Sequence, residues 1–174
     1  MKRIILFLFF ILMTSLNNAV ALDHTKWSLS PNGFGPIKMD MTLKQVEHVT
    51  GKKFNSATPD PHQAENESCF LVTLKGIDNV SFMVSGNKIV RININSPNYQ
   101  TSMGAKIGDT ESRVQALYKG KLTIEAHHYD PKGHYLTLFE KHNNRGIRFE
   151  SNGEVITLIY SGNHDEVQYV EDCL

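Results

Sequence analysis

Cysteine is scarce in this sequence, with Cys69 and Cys173 the only two. Two thiols exclude a disulfide-dense mini-scaffold. Neither has a C-x-x-C partner or a zinc-like spacing, so no ready-made zinc motif is present. A charge excess is missing too, because 18 Lys and Arg face 18 Asp and Glu. No basic run or stripe exists to neutralise phosphates, so nucleic acid is excluded as a partner and anionic membrane surfaces are disfavoured. No apolar run approaches the ~20 residues that a bilayer-crossing helix requires. There is no G-x-S-x-G elbow, no glycine-rich phosphate loop and no H-E-x-x-H, and no acid pair is set apart by its surroundings. Catalysis is thereby disfavoured but left open, and no cofactor is expected.

What is present begins with MKRIILFLFFILMTSLNNAVA. Lys2 and Arg3 lead an apolar run from Ile4 to Met13, about half the length of a membrane span. Ala19-Val20-Ala21 then supplies a small-x-small cleavage site. The pattern predicts a secretory signal peptide over residues 1–21, bacterial in its short regions, with no integral membrane segment after cleavage. No cysteine stands at the cleavage site to carry a lipid anchor. The expected location is the periplasm or the extracellular medium. In that oxidising setting Cys69 and Cys173 are expected to form a disulfide. Closing a loop of roughly 100 residues would stabilise the fold by about 4–5 kcal/mol in the chain-entropy treatment.

Two pairs of segments match at an offset of about 68 residues, the mark of a tandem duplication. GPIKMDMTLKQVEHVTG (Gly35 to Gly51) matches GAKIGDTESRVQALYKG (Gly104 to Gly120), with Thr42 on Thr110 and Val46 on Val114. FMVSGNKIVRI (Phe82 to Ile92) matches FESNGEVITLI (Phe149 to Ile159). Thr42 and Thr110 are suited to cap short helices, and Gly51 and Gly120 to end them. The remaining segments alternate as strands. Val90, Ile92 and Ile94 alternate with Arg91, Asn93 and Asn95 as in a half-buried strand. Asn152-Gly153 reads as a two-residue hairpin turn. The expected fold is α+β: two tandem repeats, each a short helix packed on a four-stranded antiparallel sheet. The expected divisions are an N-terminal segment over 22–34, a first repeat over 35–102 and a second over 103–174.

Gly35, Met41, Thr42, Val46 and Gly51, echoed by Gly104, Asp109, Thr110, Val114 and Gly120, carry a resemblance. This tandem element is similar to the β-lactamase inhibitory protein fold, and its single unit to the small lipoprotein of the outer-membrane barrel assembly machine. The resemblance implies a fold rather than an activity. It departs from the inhibitor in having one long-range cysteine pair, and from the lipoprotein in lacking the anchoring cysteine. KIGDTESRV, HHYDPKGHYL and YVEDC also resemble segments of uncharacterised secreted bacterial proteins.

HHYDPKGHYL (His127 to Leu136) carries three histidines and two tyrosines. Asp130-Pro131-Lys132-Gly133 is turn chemistry. A tight turn there would place Asp130 opposite His134, His128 opposite Leu136 and Ala126 opposite Leu138. His128 and His134 would then share a sheet face and form a candidate metal pair, with His62, His142 or His164 as third ligand. A hairpin end with satisfied imidazoles is the alternative. Tyr129, Tyr135, His128 and His134 are the candidate binding residues, since aromatics with polar tips suit interface centres. The second unit would be apolar on both faces at Leu158 and Tyr160. Some element must therefore cover the extra face: the other unit, the Trp27 segment or a partner. The leading expectation is a non-catalytic module that binds an envelope or extracellular protein, such as an inhibitor or immunity-type protein. The alternatives are a metal- or small-ligand-binding periplasmic protein and an envelope-assembly accessory.

Overall fold

A computed structural model describes residues 23–55 and 69–173, so the signal-peptide reading, His62 and most of the Gly51–Ser68 loop lie outside the described residues. Three short strands open the chain: β1 (Ser28–Ser30), β2 (Gly33–Phe34) and β3 (Ile37–Lys38). Helix α1 (Leu43–Thr50) follows, then β4 (Cys69–Val72), β5 (Val80–Ser85), β6 (Lys88–Ile94) and β7 (Gln100–Thr101). Helix α2 (Glu111–Leu117) precedes β8 (Thr123–Ala126), β9 (His134–Glu140), β10 (Arg145–Ser151) and β11 (Ile156–Asn163). The strands form two sheets, a four-stranded one ordered β3-β2-β1-β7 and a seven-stranded one ordered β4-β5-β6-β11-β10-β9-β8.

This corrects the expected α+β fold of two tandem helix-on-four-stranded-sheet repeats. The molecule is mostly β, and its helices have only 8 and 7 residues. The two strand sets do not close separately. Strands β6 and β11 pair antiparallel, with Ile94 opposite Ile159 and Asn93 opposite Tyr160, so one sheet runs through both. The reason is the edge. Either set alone would leave a row of unpaired backbone groups at β6 or β11, and joining them satisfies both.

Local signals hold where their chemistry is local. The Thr42 hydroxyl accepts from the Gln45 N–H at 3.3 Å, and the Gln45 side chain accepts from the Thr42 N–H at 2.8 Å. That reciprocal pair satisfies two of the free donors at the start of α1. Gly51 ends α1 in the left-handed region at φ 66°. The Thr110 hydroxyl likewise accepts from Arg113 N–H at 3.3 Å. Gly86 and Asn87, both at positive φ, form the two-residue β5–β6 turn. The Asn152-Gly153 expectation needs correcting. The Asn152 carboxamide accepts from the N–H groups of Glu154 and Val155, at 3.1 and 3.0 Å, which spreads the turn over 152–155.

The core lies on one face of the large sheet. Phe82, Ile92, Ile159, Phe149 and Leu136 pack there with Leu29, Phe34 and Ile37 of the small sheet and with Val46 and Val114 of the helices. The other face was expected to meet solvent at Arg91 and Asn93. Instead both are buried, at 2% and 7% exposure. The covering element is the closing segment, residues 164–173, whose turn of 3-10 helix (Glu166–Gln168) buries Val167. The Cys69–Cys173 disulfide ties its end to β4 across a sequence separation of 104. Around the bridge, Met83, Val90 and Leu71 form a second, smaller apolar cluster. The extra face is therefore covered at Tyr160, which is fully buried, while Leu158 stays half-buried beside the closing segment.

Candidate functional site

The histidine hairpin is longer than its turn residues suggest. Strand β8 pairs with β9 through Ala126 opposite His134 and Ile124 opposite Leu136. The expected partners, Asp130 for His134, His128 for Leu136 and Ala126 for Leu138, are not formed. The cause is His127. Its Nδ1 accepts from the backbone N–H groups of Tyr129 and Asp130, at 3.1 and 3.0 Å. Those bonds draw the chain out of the ladder before the Asp-Pro turn. His127 N–H then closes the loop onto Gly133 O at 3.0 Å. Gly133 fits because it lies against β10: a Cβ there would stand 2.4 Å from Ser151 O.

Two acceptor bonds at Nδ1 assign the His127 ring hydrogen to Nε2, which faces Glu150 Oε2 at 3.4 Å. The ring also stacks on Tyr135, with centroids 4.5 Å apart. On β10, Arg148 lies 4.8 Å from the Tyr135 ring centre and donates to the Thr137 hydroxyl at 2.8 Å. Tyr135 itself is 5% exposed, and its hydroxyl accepts from His128 N–H at 3.3 Å. Tyr135 is thus the base of the loop and not a contact surface.

Beside it runs a second stack. The Arg91 guanidinium sits 3.9 Å from the Tyr160 ring centre. It donates to Asn93 Oδ1 at 2.7 Å and to the carbonyls of Glu166 and Tyr169 at 3.2 and 3.1 Å. It pairs with Asp172 at 3.1 Å. Tyr160 donates to Glu150 at 2.9 Å, and burial pushes its phenol far above the ordinary tyrosine range, Glu150 adding to the effect. This polar seam fixes the hairpin and the closing segment to one rigid face. An open cleft of about 430 Å³ beside it is lined by Ser81, Arg91, Asn93, Leu158 and Asp172. Four of those five are polar, and they already bond to one another or to the seam.

Above the seam stand the exposed groups. Tyr129 is 62% exposed, and its hydroxyl donates to Glu171 of the closing segment at 2.5 Å. That bond, with the nearby carboxylate charge, raises the phenol's pKa. His128 is exposed, its ring set edge-on to Tyr129 at 4.6 Å. Tyr169, 37% exposed, lies on the same closing segment.

His134 lies elsewhere. Its Nδ1 meets Glu111 at the start of α2 at 2.8 Å, and the same carboxylate accepts from the Ser151 hydroxyl. Serine, histidine and glutamate thus gather in one place, but without the wiring of a nucleophile. The Ser151 oxygen accepts from His134 and Gly153 N–H groups, at 3.0 and 3.2 Å, and no ring nitrogen receives its proton. His142 pairs with Glu140, and His164 with Asp165. Among the described residues no group of three or more His, Cys, Asp or Glu side chains is placed to hold a metal ion.

Of the four candidate binding residues, the structure brings His128 and Tyr129 together at the surface, buries Tyr135 beneath them and assigns His134 to another cluster. Arg91, Arg148, Glu150 and Glu171 were missed as parts of the site. Arg91 carried a weak signal: a long cation in a strand whose repeat-matched partner is apolar. Among the described residues no helix is long and apolar enough to cross a membrane. Comparison with known proteins returned no match, whether against family models, characterised proteins or solved structures.

Proposed function

We propose that this chain is an exported, non-catalytic module that binds an envelope or extracellular protein, acting in the manner of an inhibitor or immunity-type protein by covering its target. One observation carries the reading: Tyr129, the most exposed large aromatic among the described residues, stands on a loop anchored from below. Its anchors are His127, the Tyr135–Arg148 stack and Glu171. A rigid aromatic with a polar tip gives contact area at little entropic cost, which is how binding hot spots are built. The Cys69–Cys173 disulfide and the leader-like N-terminus support an oxidising location in the periplasm or outside the cell. The wiring of Ser151 and His134 favours binding over hydrolysis at that cluster.

The test is affinity capture from an envelope extract using the full oxidised chain. One protein retained near stoichiometry, lost with Tyr129→Ala and kept with Met103→Ala, is the expected result. Equal retention by Tyr129→Ala, or no retention above an unrelated exported protein, overturns the reading.

A further inference from the structure

The β10–β11 and β8–β9 loops are closed in the same way, by a side chain that accepts from the N–H groups two and three residues further on. At β10–β11 the acceptor is the Asn152 carboxamide, bonded to Glu154 and Val155 N–H at 3.1 and 3.0 Å. At β8–β9 it is the His127 ring, whose Nδ1 accepts from Tyr129 and Asp130 N–H at 3.1 and 3.0 Å. The geometry is shared and the chemistry is not. A carboxamide oxygen does not titrate. An imidazole nitrogen accepts only while it carries no proton, and in the imidazolium both ring nitrogens are donors.

The surroundings decide what yields when the ring takes up a proton. The His127 side chain is only 13% exposed. Its Nε2 faces Glu150 of β10 at 3.4 Å, and its ring lies on Tyr135 of β9 with centroids 4.5 Å apart. Arg148 of β10 stands 4.8 Å from the Tyr135 ring centre and pairs with Glu125 of β8 at 3.6 Å. The loop itself adds His128, Asp130 and Lys132, and Tyr129 bonds Glu171 of the closing segment. Glu150 offers an imidazolium an ion pair, and Arg148 opposes it. None of these groups relieves the conflict at Nδ1, where a new N–H would point at two others. The ring therefore has a partner that keeps it in place, and the loop has none.

We propose that His127 is an acid-sensitive catch for the loop that presents Tyr129: protonation at Nδ1 releases the Tyr129 and Asp130 N–H groups, and residues 128–132 open while the ring stays paired with Glu150. Two backbone bonds of ordinary net strength are worth about tenfold or more in the ratio of closed to open loop. The bond from His127 N–H to Gly133 O at 3.0 Å spans the base of the loop, so β8 and β9 stay paired. The consequence for function rests on the binding reading above: the partner is held near neutral pH and let go in acid.

NMR of the full oxidised chain, titrated from about pH 8 to about pH 5, the span in which imidazoles ordinarily change charge, tests the proposal. The Tyr129 and Asp130 amide protons should lose their hydrogen-bonded shifts with the same midpoint as the His127 ring, and residues 128–132 should gain fast motion. Glu154 and Val155, capped by Asn152, are the internal control and should stay in place. His127→Asn supplies a carboxamide of the kind that closes the other loop, and should keep residues 128–132 closed throughout. His134→Ala removes the imidazole on β9 and should leave the transition unchanged. Loop amides that hold their shifts while the His127 ring protonates overturn the proposal. So does a ring that stays neutral to pH ~5, or a transition that persists in His127→Asn. Affinity capture then reads the consequence: wild type should release its partner at the acid end, where His127→Asn retains it, and retention by wild type at both ends overturns the switch. The loop signals need no partner, so the absence of any captured protein counts against the binding reading alone.

Discussion

Arg91→Ala is the perturbation that most directly probes how the second face of the sheet is closed. The guanidinium is nearly sealed, its side chain 3% exposed against 34% for Asp172. Truncation leaves Asn93 Oδ1 and the Glu166 and Tyr169 carbonyls without their donor, and removes the cation from the Tyr160 ring. Breaking a buried charge pair costs about 3–5 kcal/mol. Asp172 regains water in part, which argues for the lower end, and the lost ring contact restores about 1 kcal/mol to the cost. A destabilisation of about 4 kcal/mol is expected. Arg91→Lys keeps the charge but loses the planar fork and the stack, and should cost about 1–2 kcal/mol. Guanidinium unfolding with the disulfide intact gives the totals. A double-mutant cycle with Asp172→Ala isolates the ion pair, and coupling of about 1 kcal/mol is expected. Hydrogen exchange should show lost protection in the closing segment before the rest of the fold. If Arg91→Ala lies within about 1 kcal/mol of wild type, a level typical of surface changes, the seam does not hold the closing segment and the reasoning fails.

Other outcomes follow from separate features. Reduction of Cys69–Cys173 should lower stability by about 4–5 kcal/mol, measured by denaturant midpoint with and without reductant. Ser161 is buried on the core side with its hydroxyl unpaired among the described residues; Ser161→Ala should raise stability by about 1 kcal/mol in thermal unfolding. Burial raises the phenol pKa of Tyr160 and of Tyr118, so the folded chain keeps protons that the unfolded chain releases above about pH 10. Stability is then full below that pH and falls as pH climbs beyond it, with Tyr160→Phe flattening the fall. Gly133→Ala forces a Cβ toward Ser151 O and should cost about 1–3 kcal/mol, displacing Tyr129 and weakening capture of the partner.

How much of the site was legible follows the range of each interaction. The Asp130–Gly133 turn was readable because its residues act on their own backbone. The hairpin register was not, because the His127 ring outcompeted the ladder for two N–H groups, and side-chain acceptors leave no periodic mark. Alternation counts polarity, not exposure. It therefore set Arg91 in solvent, whereas carbonyls from a segment more than 70 residues away enclose it.

The sequence by itself determined the caps at Thr42 and Thr110, the Asp130–Gly133 turn, the alternating strands and the pairing of its two cysteines. All of these except the disulfide depend on neighbours within a few positions, and the disulfide depends on there being only one partner. Tertiary structure alone decided that β6 joins β11 into one sheet, that the chain's end seals the polar face, and that Tyr135 supports while Tyr129 is presented. Each of these is a choice among distant segments of similar local character, settled by which arrangement leaves fewest backbone groups and charges unpaired.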